Sequence, residues 1–264
     1  MQPCLSRSPP LSADSQDLPG RGCRLSRGEE DLTTVQQIDS IPMTPPRQAP
    51  KKMTLPLWID ASVQVVRQNR RPYIVLNVLY YGAVAVAMIV VAGHPEVQQA
   101  LTGAVLESFT EGGLSTVFEA YAQGSVLQAM GLTFAVNFFL GSILVLFIPS
   151  LLVPFSGVAI GLTRATLWGL ILAPTTPELR IAMIPHTVTL LLEGQGYVLA
   201  MLASLAMGKG FLSPSSMGVV RWRDSYVLGF KDASRIYILV AMVLAIAAIY
   251  EALEVIYLVP RLLS

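Results

Sequence analysis

In a chain this apolar, the residues able to do chemistry are few enough to take one at a time. His186 follows Pro185, and Glu193 comes seven residues later, two helical turns on and on the same face. Asn137 sits inside Phe134-Ala135-Val136-Asn137-Phe138-Phe139-Leu140-Gly141, Arg164 lies in a second apolar stretch, and Glu251 belongs to Ala248-Ile249-Tyr250-Glu251-Ala252-Leu253-Glu254. A charged group at membrane depth costs at least about 2.5–3.5 kcal/mol on insertion scales, so such residues face the protein interior or water. Two kinds of chemistry are open to this set. A buried carboxyl such as Glu193 is either protonated or paired with a base, which suits a proton relay or the wall of a polar pathway. The same amide, imidazole and carboxyl groups can instead be hydrogen-bonded glue between helices, worth about 1–2 kcal/mol each. Arg164 has two options, snorkelling toward the inner headgroups or pairing inside the bundle with Glu193 or Glu251. Glu254, closer to the end of its span, is expected to reach water.

Catalytic and cofactor signatures are missing from the sequence, which reads as a non-enzyme without cofactor or metal. Neither His94 nor His186 has a second His or Cys at helical spacing, while a zinc site needs three or four protein ligands. Cys4 and Cys23 both fall in the polar N-terminal stretch, so no disulfide staples the apolar part. There is no Gly-rich phosphate cradle followed by Lys and no His-Glu-x-x-His helix. Ser156-Gly157 stands near a turn as an intramembrane serine nucleophile would, but the position two before it holds Pro154 where Gly is needed. A net charge of +1, with no basic stripe interleaved with aromatics, argues against nucleic acid as a partner.

The elements that must position these groups are membrane spans. Of the 264 residues 53% are hydrophobic and 13% charged, about half the charged share of a soluble domain. Residues 1–52 are rich in Pro, Ser, Arg and Gln and read as a disordered tail; the change of character at Met53 leaves open that translation starts there. Residues 53–72 contain Leu57-Trp58-Ile59, Ser62-Val63 and Val65-Val66, followed by Arg67, Arg70 and Arg71. That pattern gives an amphipathic juxtamembrane helix at the cytoplasmic face, or a plain linker. Five spans follow at 73–92, 128–148, 155–172, 181–207 and 236–258, each near the ~20 residues that cross a hydrocarbon core of about 30 Å. Pro149 and Pro154 divide the second from the third, since proline removes a backbone donor and bends or ends a helix. Gly157, Gly161 and Ala165 repeat at a spacing of four, a small-residue pattern for close helix approach. The fold expected is therefore all-α: a polytopic bundle of about five transmembrane helices behind a disordered tail.

Loop charge sets the direction. Residues 93–128 carry Glu96, Glu107, Glu111 and Glu119 with no Lys or Arg, whereas 208–235 hold Lys209, Arg221, Arg223, Lys231 and Arg235 against Asp224 and Asp232. The positive-inside rule then puts the N-terminus in the cytoplasm and the C-terminus outside the cell membrane.

The mid-span Asn137, the Gly-spaced helix after it, Pro185-His186, the basic segment and the terminal Ala248-Ile249-Tyr250-Glu251-Ala252 together resemble the stage II sporulation protein M family of multi-span membrane proteins, over roughly Trp58 to the C-terminus. In that family's pattern the Pro-His pair is followed by Gly and soon after by Glu. Here Thr187 replaces the Gly, Leu190 stands about where the Glu would be, and Glu193 comes almost one turn later, as in a divergent member. The resemblance implies a membrane scaffold. The partners expected of the chain are the lipid bilayer and other membrane or cell-wall-associated proteins, with a homo-oligomer left open. The same polar residues alternatively suit a transporter or permease subunit with an intramembrane pathway. Five crossings give a direct test of topology: a reporter active only outside the cytoplasm, fused after Leu263, should be active, and activity confined to a cytoplasm-only reporter would overturn the count.

Overall fold

The computed structural model describes residues 56–110, 114–212, 218 and 221–264, so the tail expected at 1–52 lies outside the described residues. Among those residues all regular structure is helical. Helix α1 spans Leu57–Gln68, α2 Arg70–Ala92, α3 Pro95–Thr110 and α4 Ser115–Ala122. A second long rod runs Val126–Leu152 as α5 (Val126–Ala135), a π-helical stretch Val136–Phe147 and α6 (Ile148–Leu152). Then come α7 (Ser156–Ile171), α8 (Pro177–Leu212) and a rod Trp222–Leu263 made of α9 (Trp222–Leu253), a π-helical turn Glu254–Leu258 and α10 (Val259–Leu263).

The protein is an all-helical membrane protein with four helical rods long and apolar enough to cross a bilayer: α2, Val126–Leu152, α8 and Trp222–Leu263. The third expected span is shorter than the others. Helix α7 has 16 residues and rises about 24 Å, some 6 Å less than a hydrocarbon core. Its limits have local causes. Phe155 takes a left-handed φ of 66° ahead of it, and Pro174 and Pro177 follow its last turn. At the tight turn before α7, the Gly157 N–H donates to Ser150 Oγ at 2.8 Å, tying α6 to the start of α7.

Other boundaries differ from expectation for the same kind of reason. The first span starts at Arg70, because Asn69 ends α1 by turning its own N–H and its side-chain amide back onto Val65 O. Arg70 and Arg71 thus belong to the first turn of α2 and not to a linker. Helix α1 is not a free interfacial helix: its Ser62 and Val65 are buried and it packs along α9. The largest correction concerns the basic segment. Helix α8 continues to Leu212 and α9 begins at Trp222, so most of what reads as an inner loop is helix. Small and apolar residues recur there every three or four positions, at Ser225, Gly229, Ala233, Ile236, Val240 and Leu244, and bury one face of α9 against α8.

Helix α8 is the spine. Two-thirds (67%) of its apolar window is buried, against 28% for α2, and Tyr197 to Ala203 are buried without a break, as for a helix surrounded on every side. The expected small-residue stripe does its packing here. Gly161 faces Met201 of α8, and Gly169, further along the stripe, faces Val84 and Ala87 of α2. On α2 the opposite face, Ile74, Val78, Val86 and Ile89, is exposed and apolar, as suits lipid contact. Outside the spans, Gln98 of α3 donates to the carbonyls of Ile171 and Ala173 at 2.9 and 2.8 Å and accepts from Thr175, which caps the end of α7.

A Cβ at Gly169 would lie 2.5 Å from the Val84 carbonyl oxygen, a backbone atom unable to step aside, whereas a Cβ at Gly82 meets nothing within 4 Å. Gly169→Ala should therefore destabilise the detergent-solubilised protein by about 1–3 kcal/mol. Gly82→Ala should be neutral or slightly stabilising, since Ala is the better helix former. Thermal unfolding of the two variants side by side checks this, and equal shifts would contradict the packing.

Candidate intramembrane site

The site is built on one face of α8. His186, Thr189, Glu193 and Tyr197 follow at spacings of three, four and four, so a straight helix presents all four side chains to the same neighbours. Those neighbours are the π-helical stretch starting at Val136, α7, and the end of α9. Hydrogen bonding from i to i+5 in a π-helix displaces side chains from the α-helical face, and such segments occur mostly as single turns, often at functional sites. Here it sends Asn137 to α8 while Ser142, five residues on, meets Tyr237 of α9, whose hydroxyl donates to Ser142 O at 2.9 Å.

Asn137 occupies the centre of the network. Its Nδ2 donates to Glu193 Oε1, and its Oδ1 accepts from the Tyr197 hydroxyl at 2.8 Å and from Arg164 Nη2 at 3.3 Å. Arg164 Nη2 also donates to the Tyr197 hydroxyl at 2.6 Å, and the guanidinium carbon stands 4.2 Å from the centre of the Tyr197 ring. Arg164 is thus turned into the bundle and does not snorkel. It reaches Glu193 through Asn137, which accepts from the cation and donates to the carboxyl. Gly141 makes room for this: a Cβ there would lie 2.9 Å from the Tyr197 hydroxyl.

From Glu193 the network passes to α9. The Glu193 and Glu251 carboxyl groups are in hydrogen-bonding contact. Carboxylates only accept, so a bond between two carboxyl groups requires a proton on one of them. Glu254, one turn beyond Glu251, is fully buried and does not reach water. It faces His186, with Nδ1 to Oε1 at 3.0 Å, and accepts from Thr189. Of the five residues singled out by sequence, Asn137, Arg164, Glu193 and Glu251 gather in one cluster. His186 lies apart from them, bonded to Glu254, and shares with Glu193 and Glu251 the wall of one cavity.

Sequence reasoning missed Glu254, Tyr197 and Thr189. The signal for Tyr197 and Thr189 was present in the four-residue stripe of α8. Glu251 and Glu254 are three apart, so burial of one on a packed face brings the other along. Glu254, expected to reach water, is fully buried, while its partner His186 is 22% exposed.

Two cavities flank the carboxyl pair. One, of about 380 Å³, is lined by Asn137, Arg164, Glu193 and Glu251 together with apolar side chains. The other, of about 230 Å³, lies toward His186 and Thr189 and shares Glu193 and Glu251 as its wall. Val105 of α3 borders both. Leu114, Val117 and Tyr121, in and just before α4, line the larger cavity. Burial raises the Tyr121 phenol above its usual range, with the charge of Glu251 adding to the effect, so it stays neutral and bonds Thr133 at 2.9 Å. Among the described residues no three His, Cys, Asp or Glu side chains come together as a metal site. A second polar seam, away from the cavities, joins α2 to α8: Gln195 donates to Asn77 Oδ1 at 2.6 Å and accepts from the Tyr73 hydroxyl at 2.6 Å.

No family model, curated protein or solved structure matches the chain.

The buried Glu254–His186 contact should be measurable on its own. Glu254→Ala leaves His186 and Thr189 without their shared acceptor and should cost about 1–3 kcal/mol. In a double-mutant cycle with His186→Ala the two losses should not add, leaving a coupling of about 0.5–3 kcal/mol. Full additivity of the two unfolding free energies would mean the contact does not form.

Proposed function

We propose that the chain is a multi-span transporter of the cell membrane that carries protons together with a small solute, with Glu193 and Glu251 as the proton-holding pair. The observation that carries this reading is the direct contact of those two carboxyl groups between two cavities. One proton bridges a pair that would otherwise repel, and each carboxyl borders both cavities, so a proton entering from one side can leave on the other. His186 and Glu254 extend the same acid–base series along α8 and α9. Runs of Asp, Glu and His at membrane depth are what proton-moving transporters use.

Arg164 has a separate task in this scheme. Its fixed positive charge, delivered to Glu193 through Asn137, stabilises the carboxylate form and lets the pair give up its proton without leaving an unbalanced anion in the apolar interior. The orientation inferred from charge, N-terminus in the cytoplasm, agrees with the gathering of Arg70, Arg71 and Lys209 at one end, where Lys209 Nζ donates to Asn69 Oδ1 at 3.2 Å. Glu96 and Glu107 of α3 lie toward the other end and are exposed. That exposed acidic face favours a second reading, the scaffold implied by the resemblance to stage II sporulation protein M, in which α3 would meet membrane or cell-wall-associated partners.

Proteoliposomes loaded with a pH-sensitive dye separate the two. Adding the fraction of yeast extract below 1 kDa should acidify vesicles carrying the wild-type chain, at a rate at least tenfold above that of empty vesicles. Glu193→Gln, which keeps the bond to Asn137 but removes the exchangeable proton, should return the rate to that of empty vesicles. Equal acidification by the wild type and Glu193→Gln, or none by either, would overturn the transporter reading.

A further inference from the structure

Among the described residues three buried side-chain polar atoms have no hydrogen-bond partner; one is Ser225 Oγ, and the other two belong to groups of opposite charge, Arg164 Nε and Glu251 Oε2. Both side chains line the cavity of about 380 Å³. Several of their polar neighbours already have partners. Arg164 Nη2 is held by Asn137 and Tyr197, Glu193 Oε1 by Asn137, and Glu254 by His186 and Thr189. In a native interior an orphaned donor or acceptor calls for an explanation, and a ligand that supplies the missing partner is one.

The remaining wall says what such a ligand looks like. Apart from the polar cluster, with Tyr121 and Thr133 bonded to each other, the cavity is walled by apolar side chains such as Leu114, Val117, Leu140, Val145 and Trp168. A cavity of this size lies at the small end of the range for ligand sites, about 300–1,000 Å³, and takes a single small molecule. An anion would satisfy Arg164 Nε and leave Glu251 facing a like charge. A cation would satisfy Glu251 Oε2 and leave Arg164 without an acceptor. Only a molecule with both ends fits both atoms.

We infer that the larger cavity binds a small zwitterion with an apolar body, its carboxylate accepting from Arg164 Nε and its ammonium group donating to Glu251 Oε2. This rests on the transporter reading and names the solute class for it. A zwitterion is neutral as a whole, so it enters the apolar interior without adding net charge, and the proton on the Glu193–Glu251 pair is then the only charge carried.

The test uses four compounds on the full-length chain in detergent micelles, read by equilibrium binding. Two are zwitterions of different charge separation, leucine and 6-aminohexanoate. The other two are half-ligands, isoamylamine with the cation alone and 4-methylpentanoate with the anion alone. At least one zwitterion should bind ten times or more tightly than both half-ligands. Arg164→Met should remove its advantage over isoamylamine, and Glu251→Gln its advantage over 4-methylpentanoate. The four-compound comparison on the wild type needs neither variant, so it stands even where a variant fails to fold. A half-ligand that binds as tightly as both zwitterions, or no binding by any of the four, would overturn the inference. If extract-driven acidification persists in that case, the transporter reading survives and the solute is of another class. If a zwitterion binds but acidification does not occur, the site stands and transport falls.

Discussion

The rest of the bundle is arranged around a single difficulty: a guanidinium and three carboxyl groups are held among helices with almost no other charge nearby. Bringing opposite charges directly together in an apolar interior returns the desolvation cost only when geometry is good and every remaining donor and acceptor is used. Here Arg164 and Glu193 are joined through the two ends of the Asn137 amide, and Tyr197 closes the ring by accepting from Arg164 and donating to Asn137. An amide suits this position because it can accept from a cation and donate to a carboxylate at once. A hydrocarbon side chain of the same volume would break the link between the two charges, leaving Arg164 Nη2 with Tyr197 alone.

That requirement reaches into the backbone. Asn137 is aimed at α8 from the start of a π-helical stretch, and Glu254 is aimed at His186 from the start of another. In both rods the winding changes where a polar side chain must leave the lipid-facing sequence and enter the cluster. Glycines supply the close approach this needs. Gly141 clears the Tyr197 hydroxyl, Gly194 clears the Tyr81 ring, and Gly196 clears Leu244 of α9. Proline plays a related part in α8. Pro185 is buried inside the helix, and its carbonyl accepts from the Tyr250 hydroxyl at 3.2 Å, fixing α9 beside His186.

Much of this was legible in the sequence, and the rest was hidden for identifiable reasons. The absence of charge over long intervals gave the helical bundle and its approximate spans, because membrane depth admits few exceptions. The same scarcity marked Asn137, Arg164, His186, Glu193 and Glu251 as unusual. Helix ends were less legible where a span runs on past the apolar window. Residues 222–235 carry charges and read as a loop, yet a stripe of small residues binds them to α8, a pattern visible only once the partner helix is known. The depth of Glu254 was misjudged because counting residues from the end of a span assumes an exposed, regular helix. A π-helical turn begins at that residue, and α8 covers it. The two π-helical segments have no signature in composition or spacing, since they depend on what side chains on other helices demand.

Helices α3 and α4 add to the cavity walls. Acidic residues without Lys or Arg put this segment outside by charge, and a loop at the surface has no use for the apolar side chains of Val105, Leu114, Val117 and Tyr121. In the fold those side chains line the larger cavity, and Val105 borders both of those next to the carboxyl pair. Electrostatic interactions strengthen as the surroundings become less polar, and the apolar side chains that α3 and α4 add to the larger cavity act on the Arg164–Asn137–Glu193 linkage in that sense. The anchor of α3 is Gln98, bonded to Ile171, Ala173 and Thr175 at the end of α7. The helix that carries Arg164 and the helix that borders its cavity are therefore fastened to each other by a polar bond outside the site.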